Sequence, residues 1–315
     1  MKVVVISGPT ASGKTSVSLE LAEKFGGEIV NFDSLLLYRE VNIGTAKPTA
    51  RERNKIPHHM IDVRSISEPM NAADYAGVAM TVVENLLAQN KNVYLVGGSG
   101  FYLQALLKGM YDSPSTPEYV QEKSRLLYER EGIIPFIQIL KDHDPVSFHR
   151  YHVNDHYRIR RAVEHWWSHE TAFADERSKK DESNQKLNRT SVHDWDILHI
   201  HLDLPKEEHL NIIKHRTRAM LDAGLEKEVR DLLASGFTGL EKPLQSIGYK
   251  ETLDYIFGVL KTESEYVERI VISTRQLAKS QRTWFKKDLS KTTYHPLEQR
   301  EGLTAQVNKF LQSKS

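Results

Sequence analysis

The sequence predicts an α/β protein: a parallel sheet built around a P-loop, flanked by helices and carrying an all-helical insertion domain. Three observations carry this. Lys2-Val3-Val4-Val5-Ile6-Ser7 has the pattern of a buried strand. It runs directly into Gly8-Pro9-Thr10-Ala11-Ser12-Gly13-Lys14-Thr15, which is G-x-x-x-x-G-K-[ST], and then into a helical segment. The first hundred residues continue to alternate strand and helix, which implies parallel strands joined by covering helices. At 109–117 the alternation breaks, and only helical patterns follow until a strand returns near residue 196.

The elements follow in order. After the strand at 2–7, the glycines let the backbone curl so that successive N–H groups point at an anion. Lys14 adds a point charge, Thr15 a hydroxyl for a divalent metal, and the helix at 14–25 its positive end. That helix shows Val17, Leu19, Leu21, Ala22 and Phe25, and Gly26-Gly27 stops it. Strands are expected at 28–33, 59–63 and 92–96, and helices at 72–89 and 100–107. In such a sheet the loop after 2–7, Asp33 and the glycine-rich turn 97–100 all arrive at the C-terminal edge, so they belong to one site. The stretch 109–117 reads as a linker. Helices at 117–169, interrupted by Pro135 and Pro145, lead to a polar stretch, 170–195, expected to be mobile. A strand at 196–203 precedes helices to the end, one of them near 263–289. The core is therefore 1–113 with 196–315, and the insertion 114–195. No internal repeat is present.

The chain has 315 residues, 39% hydrophobic and 27% charged, an ordinary globular composition with room for a substantial core. It has no cysteine, which excludes disulfides, thiolate zinc sites and cysteine nucleophiles. No apolar run is long enough to cross a bilayer, and with the P-loop so close to Met1 no targeting peptide is expected. A cytoplasmic monomer is expected. The net charge of +1 hides local excesses. Arg269, Arg275, Lys279, Arg282, Lys286, Lys287 and Lys291 face Asp288 alone, and Arg150, Arg158, Arg160 and Arg161 face Asp155. With Tyr151, Tyr157, Trp166, Trp167, Trp284 and Phe285 nearby, these stripes suit a polyanion with stackable bases, or a solvated helix face.

Several candidates stay open on the residues alone. The strand at 92–96 ends in glycines where an NTPase would keep a metal carboxylate. Asp33 can hold a metal, accept a proton from a bound nucleophile, or cap a turn. Ser99 offers a hydroxyl or caps the next helix. Arg216 and Arg218 could neutralise a diphosphate or lie solvated on a helix. His58 and His59 point to opposite sides of an extended chain, and His149, His152 and His156 lack a further ligand, so no zinc is expected. His199 and His201 read as packing or surface residues. A nucleotide or small-molecule kinase, or an RNA-binding NTPase switch, would share this loop.

Taken together, several segments resemble the tRNA dimethylallyltransferase (tRNA isopentenyltransferase) family of the bacterial type. They are 8–15, Asp33-Ser34 to Tyr38, Asn42-Ile43-Gly44-Thr45-Ala46-Lys47-Pro48, Pro57-His58-His59, and Leu95 to Tyr102. Asn154-Asp155 with Arg158, Arg161-Ala162 and Glu164, then Met220 to Val229, Ser246 to Glu251, and Thr274 to Trp284 continue in the family's order. The resemblance implies transfer of a dimethylallyl group from its diphosphate to N6 of the adenosine 3′ of a tRNA anticodon. The P-loop would then hold a leaving diphosphate.

Carried over, Asp33 would take the N6 proton and Ser99, where the family more often has Thr, would assist. Lys14, the loop Gly8, Pro9, Thr10, Ala11, Ser12 and Gly13, Thr15 through Mg²⁺, and Arg216 would bind the diphosphate. The anticodon stem-loop would be held by Ser34, Leu35, Leu36, Tyr157, Arg158, Ile159, Arg160, Arg161, Gln245, Ser246, Gly248 and Tyr249. Arg275, Lys279 and Arg282 on the basic C-terminal helix would join them. Leu36 stands where many members have Gln, and Ser280 where many have Arg. Without cysteine, the chain lacks the zinc finger of some eukaryotic members.

Overall fold

Four consecutive apolar residues make β1 (Lys2–Ser7) a strand that is covered on both faces, and it lies inside a six-stranded sheet. The computed structural model describes residues 1–109, 116–175 and 194–313. The sheet also contains β2 (Glu28–Asn31), β3 (His58–His59), β4 (Val93–Gly97), β5 (Asp196–Leu202) and β6 (Thr292–Tyr294). The order is β3-β2-β4-β1-β5-β6, and every pairing is parallel. Parallel strands need crossovers, which α1 (Lys14–Phe25) and α3 (Ala72–Ala88) supply here.

Alternation along β1 divides the core in two. Val4 and Ile6 pack with Val17 and Leu21 of α1 and with Leu303 and Val307 of α13 (Arg300–Gln312). Val3 and Val5 face the other way, toward Tyr75, Ala79 and Val83 of α3. On that side the core continues into α10 (Leu225–Ala234), α11 (Tyr249–Ile256) and α12 (Glu263–Phe285). Local chemistry sets the starts of these helices. Asn71 accepts from the Ala73 and Asp74 amides at α3, and Thr262 with Glu265 forms a capping box at α12.

The chain divides into two compact units, Met1–Leu107 with His193–Ser315, and Lys108–Val192. The second holds α5 (Glu118–Glu131), α6 (Ile134–His143), α7 (Pro145–Arg150) and α8 (His156–His169). Its own core is Phe136, Leu140, Ile159, Ala162 and Val163. Most of the polar stretch 170–195 lies outside the described residues.

Four expectations change. The strand expected at 59–63 contracts to β3, because Met60 and Asp62 adopt positive φ (60° and 58°) and Asp62 turns to pair with Lys47 and Arg53. The strand at 28–33 ends at Asn31, although the Phe32 amide still reaches the Val96 carbonyl at 2.9 Å. The helix near 263–289 ends at Phe285, and Asp288 then bonds His199. Helices do not run unbroken to the end, since Thr292–Tyr294 adds a short edge strand beside β5.

Gly27 joins α1 to β2 at φ 114°, where a Cβ would collide with the Asn92 carbonyl oxygen. Gly77, inside α3, has open space around it. Gly27→Ala should therefore lower the melting temperature, at a cost of about 1–3 kcal/mol. Gly77→Ala should raise it, through a gain of about 0.5–1 kcal/mol in stability. Thermal melts of both variants read the opposite signs directly.

Candidate active site

The C-terminal edge of the sheet brings together the loop after β1, Asp33 after β2, and the 97–100 turn after β4. Gly8 opens the first loop pressed against β5, where a Cβ would lie 2.5 Å from the Leu202 carbonyl oxygen. Gly13 turns the chain into α1 in a left-handed conformation, and no side chain caps that helix. Ser12 Oγ is buried in the curl without a hydrogen-bond partner. Lys14 Nζ folds back to donate to the carbonyls of Gly8 (3.0 Å) and Pro9 (2.8 Å). Burial pulls this ammonium down to about 8; Asp33 opposes the shift and Arg216 adds to it. Thr15 lies exposed in the first turn of α1.

Asp33 is both a turn residue and a cleft residue. Its amide is held by Asn31 Oδ1 at 2.8 Å, and its Oδ1 accepts from the Leu35 amide at 3.2 Å. Among the described residues Oδ2 has no such partner, and the residue lines a cavity of about 430 Å³. Ser99 Oγ accepts from the Ser34 amide at 3.1 Å, tying the 97–100 turn to the residue after Asp33. Arg216 enters from α9 (Lys206–Asp222) and reaches Thr10 Oγ1 (3.3 Å) and the Thr45 carbonyl (3.4 Å). Burial depresses its pKa, and Asp33 again opposes. Arg218 instead pairs at the surface with Glu263 and Asp222, which settles the two arginines apart. Elsewhere the cleft wall is largely apolar, with Leu35, Tyr102, Ile213, Met220, Ile270 and Leu277.

The remaining expected contacts separate. Ser34, Leu35, Gln245, Ser246 and Gly248 line the cleft, whereas Leu36 is occupied in a turn, its carbonyl accepting from Asp62. Tyr249 is a correction. It is fully buried, its hydroxyl donating to Glu228 and accepting from the Gly44 amide, so its side chain is not presented to an RNA. Burial and the Glu228 charge push its phenol pKa up. Ile159 is a second correction, because it packs in the core of the helical unit. Tyr157 is exposed there, Arg158 pairs with Asp155, and Arg161 pairs with Glu164. Arg160 stacks 4.6 Å over Tyr128. Arg275 and Lys279 are exposed on α12. Arg282 is spent internally on Asp203 (2.7 Å), the Leu204 carbonyl and His209.

Two features escaped sequence reading. Gln281, inside the matched Thr274–Trp284 stretch, bonds the Thr10 amide and the Gly98 carbonyl. His199 and His201 are packing residues, buried against Phe285, but they also bond: Ser7 Oγ lies 2.7 Å from His199 Nε2 and 2.8 Å from His201 Nδ1, beneath the loop. Burial lowers His201 to about 4. Among the described residues no cluster of three acidic or imidazole groups is placed to hold a metal, and no helix is long and apolar enough to cross a membrane.

Residues 36–288 match the model of the IPP transferase family. The chain is 38% identical over 288 residues to tRNA dimethylallyltransferase 2 of Geotalea uraniireducens, covering 91% of this chain and 90% of the relative. It is also 38% identical to the tRNA dimethylallyltransferase of Corynebacterium jeikeium, covering 91% and 89%. The crystal structure of the tRNA isopentenylpyrophosphate transferase of Bacillus halodurans superposes with TM-score 0.69 at 27% identity, over 98% of this chain and 96% of that one. A eukaryotic dimethylallyltransferase acting on tRNA gives TM-score 0.76 at 28% identity, over 98% and 77%.

The depressed Lys14 pKa carries a testable sign. The ammonium is charged below about 8 and loses its proton as pH rises through that value, well under the ordinary 10.5. Affinity for inorganic diphosphate should therefore fall, roughly tenfold or more, between pH 7 and 9.5. Titration calorimetry on wild type and Lys14→Met checks this, since the ligand's own titration is common to both. The variant should lack the Lys14-dependent part of the fall.

Proposed function

The chain belongs to the IPP transferase family, and from that premise we infer that it transfers a dimethylallyl group from dimethylallyl diphosphate to tRNA. The acceptor is N6 of the adenosine 3′ of the anticodon, and diphosphate leaves. One observation carries the assignment: Asp33 and Arg216 line a cleft with mainly apolar walls, and Lys14 lies within electrostatic reach of both.

Each group has a task that its position suits. The loop amides, the unpaired Ser12 hydroxyl, Lys14 and Arg216 bind the diphosphate and meet the charge that grows on it as the allylic carbon–oxygen bond breaks. That bond's electron pair goes to the diphosphate. The N6 lone pair then forms the new carbon–nitrogen bond, and the N6 proton passes to Asp33 Oδ2, with the Ser99 hydroxyl beside it. An allylic cation is resonance-stabilised, so cleavage runs ahead of attack. The apolar walls keep water from capturing the cation.

Mg²⁺ would accompany the diphosphate, and Thr15, exposed in the first turn of α1, is the residue that would hold it. When bound, it supplies charge neutralisation to the leaving group. A kinase reading is disfavoured, because β4 ends in Gly97-Gly98 without a metal carboxylate and the acceptor cleft is apolar.

The adenosine must leave its stack to reach Asp33, which costs a few kcal/mol and is cheapest in a single-stranded loop. Ser34, Leu35, Gln245, Ser246 and Gly248 at the cleft would hold that loop, and Arg275 and Lys279 on α12 its phosphates. Tyr157, Arg158, Arg160 and Arg161 of the helical unit supply further RNA contacts. The protein acts as a cytoplasmic monomer on this reading.

The test is a transfer assay with radiolabelled dimethylallyl diphosphate, Mg²⁺ and unmodified tRNA. Label should enter the RNA, and Asp33→Ala should slow transfer by roughly 10²–10⁴-fold. Phosphorylation of a small acceptor without prenyl transfer would defeat the assignment.

A further inference from the structure

Two glycines of the 97–100 turn have a cause that lies on α12. A Cβ on Gly98 would collide with the Gln281 amide nitrogen, and one on Gly100 with the Trp284 indole. Gln281 and Trp284 are one helical turn apart, so they settle on the turn together. Gln281 is engaged at both ends. Its Nε2 donates to the Gly98 carbonyl at 3.0 Å, and its Oε1 accepts from the Thr10 amide at 2.8 Å. One neutral amide therefore spans from the diphosphate loop to the turn that carries Ser99.

Both ends of that span are otherwise firmly placed. The Thr10 carbonyl accepts from His209 Nε2 at 2.8 Å, and its hydroxyl from Arg216. On the other side Gly97 packs so closely on Phe32 that a Cβ would come 2.8 Å from the Asp33 amide, and Ser99 holds Ser34. Asp33 and the 97–100 turn thus form one block, and the loop with Arg216 another. Gln281 bonds to both.

We propose that Gln281 is a positioning residue that sets the separation between the bound diphosphate and the Asp33–Ser99 pair receiving N6. This rests on the prenyl-transfer reading above. A glutamine suits the task because one end must donate and the other accept, with no charge to oppose a diphosphate. Each substrate can still bind its own block without the bridge. The pairing of β1 with β4 survives its loss, but the two loops beyond those strands lose the contact they share, and a misplacement of about 1 Å can cost roughly 10²-fold in rate.

The experiment compares wild type, Gln281→Ala, Gln281→Glu, Gly98→Ala and the Gln281→Ala/Gly98→Ala double variant. Three quantities are read for each: the single-turnover transfer rate at saturating donor and anticodon stem-loop RNA, the Kd for inorganic diphosphate and for that RNA, and the melting temperature. Gln281→Ala should slow transfer by about 10–100-fold with both Kd values within about threefold of wild type. Gln281→Glu keeps the Thr10 acceptor but loses the Gly98 donor, and it should not rescue the rate. Gly98→Ala should slow transfer because its Cβ displaces the Gln281 amide. The double variant should be no slower than Gln281→Ala, since both changes remove one shared contact. A wild-type rate in Gln281→Ala overturns the proposal, as does a loss confined to Kd or one tracking a fallen melting temperature. A wild-type protein that transfers no prenyl group overturns the functional reading itself, and that outcome is distinguishable because it appears before any variant is made.

Discussion

Two cations at the cleft, Arg216 in its wall and Lys14 within electrostatic reach of it, have no carboxylate salt bridge among the described residues, and this is the constraint around which the molecule is arranged. Lys14 donates to two loop carbonyls and Arg216 to a hydroxyl and a carbonyl, while Asp33 stands within electrostatic reach of both. Taking charge out of water is costly, and neutral acceptors offset only part of that cost. The depressed pKa values of Lys14 and Arg216 record the remainder. An anion entering the cleft would relieve it. On the proposed function, the same arrangement would become binding energy for a diphosphate, and more so as negative charge develops on the leaving oxygen.

Holding such a site requires support from outside it. Glu228 accepts from the Asn42 and Ile43 amides and from the buried Tyr249 hydroxyl, which fixes the segment whose Thr45 carbonyl receives Arg216. Beneath the loop, Asp288 holds His199 at 2.7 Å, and His199 in turn holds Ser7. Asp288 follows directly on α12, the helix that also places Gln281 on the loop from above. The loop after β1 is therefore gripped on two sides by one helix and its exit, and much of its geometry is set by residues more than 190 positions away.

What was legible in the chain follows from range. β1, the loop and α1 could be read because strand period, glycine spacing and helix stop all lie within about 26 consecutive residues. That Asp33 and the 97–100 turn join the loop follows from parallel topology alone, without knowledge of any contact. Tyr249 was misread because its partner, Glu228, lies on a different helix and no local pattern announces the pair. Arg282 failed for the same reason, its partner Asp203 lying beyond the end of a distant strand. Ile159 was avoidable: it stands three and four residues before Ala162 and Val163, the spacing of a buried helix face. The β6 strand is too short for any periodicity to be seen.

The central claim is that the cleft chiefly stabilises a departing diphosphate, so that carbon–oxygen cleavage leads and attack by N6 follows. The most direct test replaces one methyl of the donor by trifluoromethyl, which withdraws electrons from the allylic cation and leaves the diphosphate intact. The single-turnover rate to tRNA should fall by about a hundredfold or more, ~2.7 kcal/mol of barrier, while the analogue binds as tightly as the natural donor. A rate within a few-fold of the natural donor's would contradict the account and place nucleophilic attack, driven by Asp33, ahead of leaving-group departure.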